Sequence, residues 1–337
     1  MRVLVTGAGG YTGGRLARRL LAEGHQVRAL VRRPWQAPGL REAGARVVIG
    51  DITDPVSLAG IAAGIDVIYH LVGALTGGSA EVCRVLVGGT RNLLDQVLAG
   101  QGVPPRIILT SNAVVYGDGK GMLLDEESPC RPITDLGRIA LEAEETLRDA
   151  ARGTRGVSAT VVRCGAIYGP GRLSSELIRQ GRFRLIGSGL NWSSRIQVDD
   201  LVTALIALGA APPPGSVYNA VDYEPSPLIA YYGFLAESLG APAPTHRSAW
   251  RAHGQGRARA LLSRGHGPAV DANVIGLFTA NLRVDGSRLW RDLRVSPRYP
   301  SYRSGIPASL AEEQDGGALL SRDTPVEGTK KREEVGP

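Results

Sequence analysis

Residues 2–16, RVLVTGAGGYTGGRL, contain the pattern that decides the fold of this chain. Residues 2–6 are rich in apolar and β-branched side chains, which is typical of a buried strand. The stretch RLARRLLAEG after the glycines is amphipathic and predicts a helix with one buried face. Between strand and helix, Gly7, Gly10 and Gly13 have the spacing GxxGxxG. A strand, a glycine-rich turn and a helix in this order predict a βα unit whose turn approaches a nucleotide.

The glycines of this turn have different physical roles. The first permits the tight turn itself, a missing side chain further on lets backbone amides approach a diphosphate, and the last lets the helix pack closely on the strand. The amino end of the helix also favours the negative charge of the diphosphate. We therefore predict that a dinucleotide cofactor binds at Gly7, Gly10, Tyr11, Thr12 and Gly13.

The end of the second predicted strand bears on which dinucleotide binds. An acidic residue at this point would bind the ribose hydroxyls and repel a 2′-phosphate. This chain instead has Arg32 and Arg33 after Val31, and guanidinium groups suit a phosphate. We therefore expect NADPH as the cofactor, with NADH as the alternative. The competing interpretation is that both arginines only face solvent.

Strand and helix patterns alternate along the first half of the chain. This alternation predicts an α/β fold, a Rossmann-like doubly wound parallel sheet that is covered by helices on both faces. The segments concerned are strands near 25–32, 45–51, 66–71, 106–110 and 159–163, and helices near 81–99 and 135–151.

The second half of the chain is irregular and turn-rich. We expect a dinucleotide-binding domain over 1–170 and a smaller C-terminal substrate-binding lobe over 171–310, with one strand at 216–220 returning to the sheet. The polar segment 311–337 is expected to be a disordered tail. The segment 246–266 is rich in arginine and has no acidic residue, which favours a solvated lid or, alternatively, the lining of an anionic pocket.

Composition narrows the classes of function. No apolar run in the 337 residues approaches the roughly 20 that cross a bilayer, and no secretory signal pattern is present, so we expect a cytoplasmic protein without a membrane partner. The net charge is +7, but no recognition helix accompanies it, so no nucleic-acid partner is expected. Cys83, Cys130 and Cys164 form no CxxC pair and the histidines are dispersed, so no metal is expected. The sequence leaves the oligomeric state open.

Six further motifs follow the glycine turn along the chain. They are GDITD at 50–54, HLVG at 70–73, TSNAVVYGD at 110–118, RCGAIYGPG at 163–171, VDDL at 198–201 and VYNA at 217–220. Together with the glycine turn, over about 300 residues, they resemble the extended branch of the short-chain dehydrogenase/reductase superfamily. The resemblance implies the same Rossmann-like fold and a nicotinamide cofactor.

The resemblance also implies which residues line the ligand sites. It places Asp51 and Ile52 beside the adenine of the cofactor. Further cofactor contacts are implied for Leu71, Val72, Gly73, Thr110, Gly165 and Ile167. A small-molecule aromatic ketone would be contacted by Ser111, Ala113, Tyr116, Tyr168, Trp192 and Arg195, with Tyr168 expected near the nicotinamide.

Three catalytic positions of this family are altered here. Family members have Ser or Thr where this chain has Asn112, and Tyr-x-x-x-Lys where it has Leu136 and Ala140. Tyr116 and Lys120 have the spacing of the missing pair, but the glycines between them disfavour a helix, so we do not expect them to replace it. Asn112 is therefore the candidate catalytic residue, as a neutral hydrogen-bond donor.

The altered positions lead to a functional hypothesis. Hydride transfer depends mainly on positioning, so it survives the loss of the usual proton donor if the carbonyl is already activated. An aromatic ketone with an adjacent phenol is activated in this way, and water can supply the final proton. The sequence looks like angucyclinone-type ketoreductases of antibiotic biosynthesis, which implies NADPH-dependent reduction of an aromatic polyketide. The alternatives are a non-catalytic dinucleotide-binding regulator and a non-redox isomerase, dehydratase or cyclase.

Overall fold

The computed structural model describes residues 1–73, 78–153, 156–210, 216–248 and 279–315. Its strands in chain order are β1 (Arg2–Thr6), β2 (Gln26–Val31), β3 (Arg46–Ile49), β4 (Val67–His70), β5 (Arg106–Asn112), β6 (Leu123–Leu124), β7 (Ala159–Cys164), β8 (Ala166–Tyr168), β9 (Arg184–Ile186), β10 (Trp192–Ser193), β11 (Arg195–Gln197), β12 (Val217–Ala220), β13 (Ser226–Pro227), β14 (Thr245–Arg247) and β15 (Arg283–Val284).

The helices of the described residues follow the same numbering. In chain order they are α1 (Tyr11–Ala22), α2 (Pro38–Glu42), α3 (Ser79–Cys83), α4 (Gly89–Ala99), α5 (Asp135–Arg152), α6 (Ser175–Arg179), α7 (Val198–Ala210), α8 (Leu228–Ser238), α9 (Ser287–Leu293) and α10 (Tyr302–Gln314). A π-helical turn, Arg84–Gly88, joins α3 to α4. Short 3₁₀ turns occupy Pro34–Gln36, Val56–Leu58 and Ala113–Tyr116.

Seven strands form the central sheet in the order β12-β7-β5-β4-β1-β2-β3. Every neighbouring pair in this sheet is parallel. The Rossmann-like doubly wound α/β fold predicted from the sequence is therefore confirmed, and β12 is the strand that returns to the sheet. The strand order reverses between β1 and β4, and such a reversal opens a crevice at the carboxyl ends of the strands.

Helices cover both faces of this sheet. On one face, Leu20 of α1 packs in a common core with Leu205 of α7 and Trp290 of α9. On the other face, Leu93 of α4 and Leu147 of α5 belong to a second core. Burial of one apolar face per helix explains why the amphipathic patterns of the sequence predicted these layers.

The C-terminal half contributes a lobe with an aromatic core. Tyr168, which ends β8, packs edge-on against Tyr231 of α8, with ring centroids 5.9 Å apart. Tyr302 of α10 lies 5.6 Å from the Tyr231 ring. Gly305 allows α10 to approach this core, because a Cβ atom there would lie 2.0 Å from the Tyr168 hydroxyl oxygen.

The structure corrects the predicted start of the tail at residue 311. Helix α10 continues to Gln314 because residues of its last two turns are buried or hydrogen-bonded to the segment 171–175. Leu310 is buried, and the Glu313 carboxylate accepts hydrogen bonds from the Gly171 amide at 2.7 Å and the Ser175 hydroxyl at 3.0 Å. Most of the predicted tail, residues 316–337, and most of the arginine-rich segment, residues 249–266, lie outside the described residues.

A buried ion pair ties α5 to the central sheet. Arg163 of β7 donates to the Glu144 carboxylate from Nε at 3.1 Å and from Nη2 at 2.8 Å. Both side chains are almost fully buried, with 3% and 0% exposed. Ser111 of β5 and Arg148 of α5 also donate to this carboxylate, at 2.5 and 2.7 Å. Such a fully hydrogen-bonded pair is stable only while both partners are present.

Replacement Glu144→Ala is therefore expected to lower the free energy of unfolding by about 3–5 kcal/mol, because it leaves the Arg163 charge buried without a partner. The measurement is urea unfolding followed by circular dichroism. Glu142→Ala on the same helix is the matched control, since it breaks only the exposed pair with Arg91 and should cost less than about 1 kcal/mol. Equal losses of unfolding free energy in the two variants would contradict a stabilising role for the buried Arg163–Glu144 pair.

Candidate dinucleotide site and catalytic crevice

The glycine turn lies between β1 and α1, at the carboxyl edge of the sheet. Gly7 has a φ of +68°, which favours glycine, and a Cβ atom on it would lie 2.6 Å from the Leu71 carbonyl oxygen. A Cβ on Gly13 would lie only 2.2 Å from the Gly7 carbonyl oxygen. The turn therefore packs backbone against backbone, as the sequence pattern predicted, and any side chain at these two positions would force it open.

The amino end of α1 is available to an anion. Gly10 precedes the helix and supplies no side-chain cap, and the first turn contains no acidic residue. The Gly10 amide donates to the Gly7 carbonyl at 2.9 Å, and the helical pattern of bonds begins with the Gly14 amide on the Gly10 carbonyl. The amides of Tyr11, Thr12 and Gly13 are therefore the ones that suit a diphosphate. The Tyr11 side chain points elsewhere, since its hydroxyl donates to the Pro170 carbonyl at 3.0 Å. Tyr11 thus offers its backbone to this site and uses its ring to hold the 169–170 turn.

The adenine end of the predicted site adjoins the ends of β2 and β3. Burial raises the pKa of the Asp51 carboxyl, but hydrogen bonds from Thr53 and the charges of Arg32 and Arg84 outweigh it and hold this pKa below its ordinary value. Ile52 sits directly beside Gly89, where a Cβ atom would lie 2.9 Å from the isoleucine side chain. Asp51 therefore carries a negative charge at the position that the resemblance assigned to the cofactor.

The further residues expected to contact the cofactor lie at or just after the ends of strands. Leu71, Val72 and Gly73 follow β4 directly, and Thr110 of β5 pairs with Val162 of β7. Gly165 and Ile167 follow on the same crevice edge, where a Cβ on Gly165 would meet the Ser194 carbonyl oxygen at 2.6 Å and Ile167 pairs with Ile196. These predicted cofactor residues thus come from three segments of the chain, 71–73, 110 and 165–167.

His70, which precedes the 71–73 loop, is a buried residue that the sequence analysis missed. Thr90 donates to the Leu86 carbonyl at 2.6 Å, so its oxygen accepts from Nε2 of His70 at 3.1 Å. Nδ1 of His70 accordingly accepts from the Thr6 hydroxyl at 2.8 Å. Complete burial lowers the pKa of His70 to about 4. A neutral imidazole therefore joins β1, β4 and α4 directly beneath the cofactor edge.

This neutral imidazole predicts a pH dependence of stability. Between pH 6.5 and 4 the unfolded chain binds a proton at His70 that the folded protein does not bind, so stability falls as the pH falls through this range. The loss amounts to roughly 3 kcal/mol. We expect His70→Gln to remove this contribution, as measured by urea unfolding of both proteins at half-unit pH intervals. Parallel profiles for the two proteins would show that His70 does not titrate as described.

Asn112 ends β5 and caps the turn that follows it. Its side-chain oxygen accepts from the Val114 amide at 3.0 Å. Within the described residues its amide nitrogen has no hydrogen-bond partner, so it is available as a donor. The catalytic role that the sequence analysis assigned to Asn112 stays a prediction.

Apolar side chains stand at the two positions where the family has its catalytic tyrosine and lysine. Leu136 and Ala140, on the first two turns of α5, are buried and belong to one apolar cluster with Ala113 and Val82. Ala113 is thus a wall residue whose side chain is 2% exposed rather than an open substrate contact. No proton donor occupies the place where the family has its tyrosine and lysine.

Three further residues expected at the substrate have hydroxyls that are hydrogen-bonded within the protein. The Ser111 hydroxyl donates to Glu144 at 2.5 Å, as part of the ion-pair network. The Tyr116 hydroxyl donates to Asn219 at 2.7 Å, and burial raises its pKa to about 12. Tyr168 is buried in the lobe core and donates to the Ser301 carbonyl at 3.4 Å, so its hydroxyl is directed to the backbone, and its expected place near the nicotinamide stays a prediction. Each buried hydroxyl is directed by the partner that it requires.

The remaining two expected substrate residues differ in exposure. Arg195 is 3% exposed, donates to Ser193 and Ser226 and lies 4.0 Å from the centre of the Tyr231 ring, so it packs inside the lobe. Trp192 is half-buried, with Arg283 5.0 Å from its ring centre. Trp192 is therefore the one of the six expected substrate residues with an accessible aromatic surface.

Two findings concern ligands other than a dinucleotide. No three His, Cys, Asp or Glu side chains of the described residues come close enough to hold a metal ion. Among the helices of the described residues, none combines the length and the apolar character that a membrane span requires.

Comparison with known proteins places this site in a family. Residues 3–220 match the NAD dependent epimerase/dehydratase family. The chain is 30% identical over 325 residues to a Stigmatella aurantiaca protein named 4-hydroxy-2-methyl-3-oxo-4-farnesyl-3,4-dihydroquinoline-1-oxide ketoreductase, covering 91% of this chain and 95% of the relative. It is 32% identical over 327 residues to a Streptomyces protein named 3-diazoavenalumate denitrifying reductase, covering 91% of this chain and 99% of the relative.

A solved structure shows the same fold. The dTDP-glucose 4,6-dehydratase DesIV of Streptomyces venezuelae superposes with a TM-score of 0.77 at 23% identity, over 96% of this chain and 100% of that one. The chain therefore belongs to the NAD dependent epimerase/dehydratase family, the extended short-chain dehydrogenase/reductase group that the sequence motifs indicated. Family membership implies a nicotinamide dinucleotide as the cofactor.

Proposed function

We propose that this protein is an NADPH-dependent ketoreductase that reduces a carbonyl group of an aromatic polyketide of the angucyclinone type. The observation that carries the proposal is a closely packed glycine turn in a chain whose Leu136 and Ala140 join Ala113 in an apolar wall. A site that keeps the cofactor residues and replaces the proton donors by hydrocarbon suits a substrate that needs positioning more than acid catalysis. The ketoreductase name of the Stigmatella aurantiaca relative supports this reaction class.

The residues present fit a dinucleotide from end to end. Its diphosphate would be held by the amides of the glycine turn and the amino end of α1, and its adenosine by Ile52 and the arginines after β2. The cofactor supplies a hydride. Arg32 and Arg33, with no acidic residue between β2 and Trp35, favour the phosphorylated form of the dinucleotide. This choice of NADPH over NADH is part of the proposal.

The substrate would then supply the activation that the family's tyrosine provides, since Leu136 and Ala140 occupy that pair's positions among the described residues. Reduction of a ketone adds a hydride to carbon and a proton to oxygen. The apolar wall offers no proton at this point, so a phenol beside the carbonyl would polarise it through an internal hydrogen bond, and water would deliver the proton. The loss of a positioned acid typically costs about 10²- to 10⁴-fold, and this internal bond compensates for part of it. The amide of Asn112 adds a donor without a charge.

Replacement Asn112→Asp tests this donor. The new carboxylate can still accept from the Val114 amide, so the cap is kept, while the donor is replaced by an acceptor that repels the developing oxyanion. We expect kcat to fall about 10²-fold with NADPH and an aromatic ketone that carries an adjacent phenol. Asn112→Ser, which keeps a donor and a cap, is the matched control and should retain most activity. Unchanged turnover in Asn112→Ala would remove the residue from the mechanism.

A second candidate reaction follows from the Streptomyces relative, whose name specifies a diazo compound. A hydride added to the ring carbon of an aryl diazonium forms a C–H bond, and the C–N bonding pair leaves with dinitrogen. This reaction needs no proton, so it also suits a crevice without an acid. The apolar wall is the observation that favours it here.

Proton uptake distinguishes the two reactions. In weakly buffered solution, ketone reduction is expected to consume one proton for each NADPH oxidised, whereas reduction of an aryl diazonium consumes none. The assay follows pH and NADPH absorbance together, with either substrate. Binding of NADPH without oxidation by any aromatic ketone or diazonium would support a non-catalytic regulator instead. Conversion of substrate without net NADPH oxidation would support an isomerase, dehydratase or cyclase.

A further inference from the structure

The loop after β2 carries an arrangement that the sequence motifs do not explain. Arg33 lies with its guanidinium carbon 5.2 Å from the centre of the Trp35 ring. The Trp35 side chain is 51% exposed, so this large ring is left on the surface beside the glycine turn rather than in a core. Within the part of the chain that the structure describes, the Arg33 guanidinium has no ion-pair partner. A cation held against a ring, with its charge unpaired, is ready to meet an anion.

Gln36 connects this loop to the glycine turn. Its amide nitrogen donates to the Gly9 carbonyl at 3.2 Å, and its amide oxygen accepts from the Arg33 backbone at 3.1 Å. The contact is close, because a Cβ atom on Gly9 would lie 2.5 Å from the Gln36 amide carbon. The Gln36 amide therefore lies flat on Gly9 and sets the distance between the glycine turn and the backbone of Arg33.

The position of the Gln36 contact with Gly9 indicates which part of a dinucleotide would lie near it. In the sheet, β2 lies between β1 and β3. A dinucleotide that spanned from the glycine turn after β1 to Asp51 and Ile52 after β3 would therefore pass the loop after β2, where Gln36 meets Gly9. Arg32 already balances the Asp51 carboxylate electrostatically. Arg33, without a carboxylate partner among the described residues, is the charge left for a phosphate on that ribose.

We propose that Trp35 and Gln36 are positioning residues for a 2′-phosphate subsite, in which Trp35 holds the Arg33 guanidinium by stacking and Gln36 holds its backbone against the glycine turn. This inference rests on the proposed use of NADPH and adds which residues make the subsite selective. Immobilising a long arginine before the ligand arrives reduces the conformational entropy lost on binding. Selectivity for the phosphorylated dinucleotide thus depends on a tryptophan and a glutamine as well as on the arginine charge.

The stacking contact is tested with two probes that need no catalysis, 2′,5′-ADP and 5′-AMP, titrated calorimetrically into the intact protein. We expect Trp35→Ala to weaken 2′,5′-ADP binding about fourfold, which is the size of an exposed cation–π contact, and to leave 5′-AMP unchanged. Trp35→Phe keeps a ring and should stay within about twofold of the wild type. Tyr223→Ala is the matched control, because Tyr223 is also 51% exposed but lies in the lobe.

A double variant separates positioning from direct contact. If Trp35 acts through Arg33, the variant R33A/W35A binds 2′,5′-ADP as weakly as R33A alone, since the ring has nothing left to hold. Additive losses would mean that Trp35 contacts the ligand independently and would overturn the positioning role.

The Gln36 contact between Gly9 and the Arg33 backbone is tested by Gln36→Glu. A carboxylate at this position keeps the contact to the Arg33 amide but repels a nearby phosphate, so 2′,5′-ADP affinity should fall about tenfold while 5′-AMP affinity holds. Unchanged discrimination in both Trp35→Ala and Gln36→Glu, with discrimination lost in R33A, would overturn the inference and leave the NADPH proposal standing. Equal binding of the two probes by the wild-type protein would instead refute the NADPH preference itself.

Discussion

Direct contact of backbone with backbone at the glycine turn is the constraint on which the rest of this structure depends. Gly13 packs on Gly7, and Gly7 packs on Leu71, with no room for a Cβ at either glycine. These contacts bring the ends of β1 and β4 and the start of α1 to one edge. The neutral His70, held by two threonines, maintains the same edge from below. The open start of α1 and the loop 71–73, which is predicted to contact the cofactor, lie at one edge because this spacing is kept.

Several polar side chains behind that crevice are hydrogen-bonded to one another. Glu144 takes hydrogen bonds from Arg163 and Ser111, and the Tyr116 hydroxyl is committed to Asn219. Leaving such groups unpaired in a buried position would cost a large part of the stability of the domain. The hydroxyls of Ser111 and Tyr116, which the sequence analysis expected at the substrate, thus have partners within the protein. Among the described residues, the positions of the family's tyrosine and lysine carry hydrocarbon, and Asn112 beside them carries a neutral amide.

Much of the fold could be predicted because its signals are local. The alternation of strands and helices appears as hydrophobic periodicity within 10–20 residues, and the glycine turn appears as a spacing of three. The replacement of the catalytic pair was also visible, since Leu136 and Ala140 occupy one face of one helix. The end of α10 was not visible, because Glu313 is held there by Gly171 and Ser175, which are far away in sequence.

The sequence by itself determined the order of strands and helices, the nucleotide-binding turn and the absence of a tyrosine–lysine pair, since each of these depends on residues that are close along the chain. The tertiary structure alone decided which polar side chains face the crevice. Tyr116 meets Asn219 across 103 positions, and Tyr168 meets Ser301 across 133, through a strand order that no local pattern records. A buried hydroxyl or guanidinium turns towards the partner that satisfies it, and only the assembled sheet and lobe supply that partner.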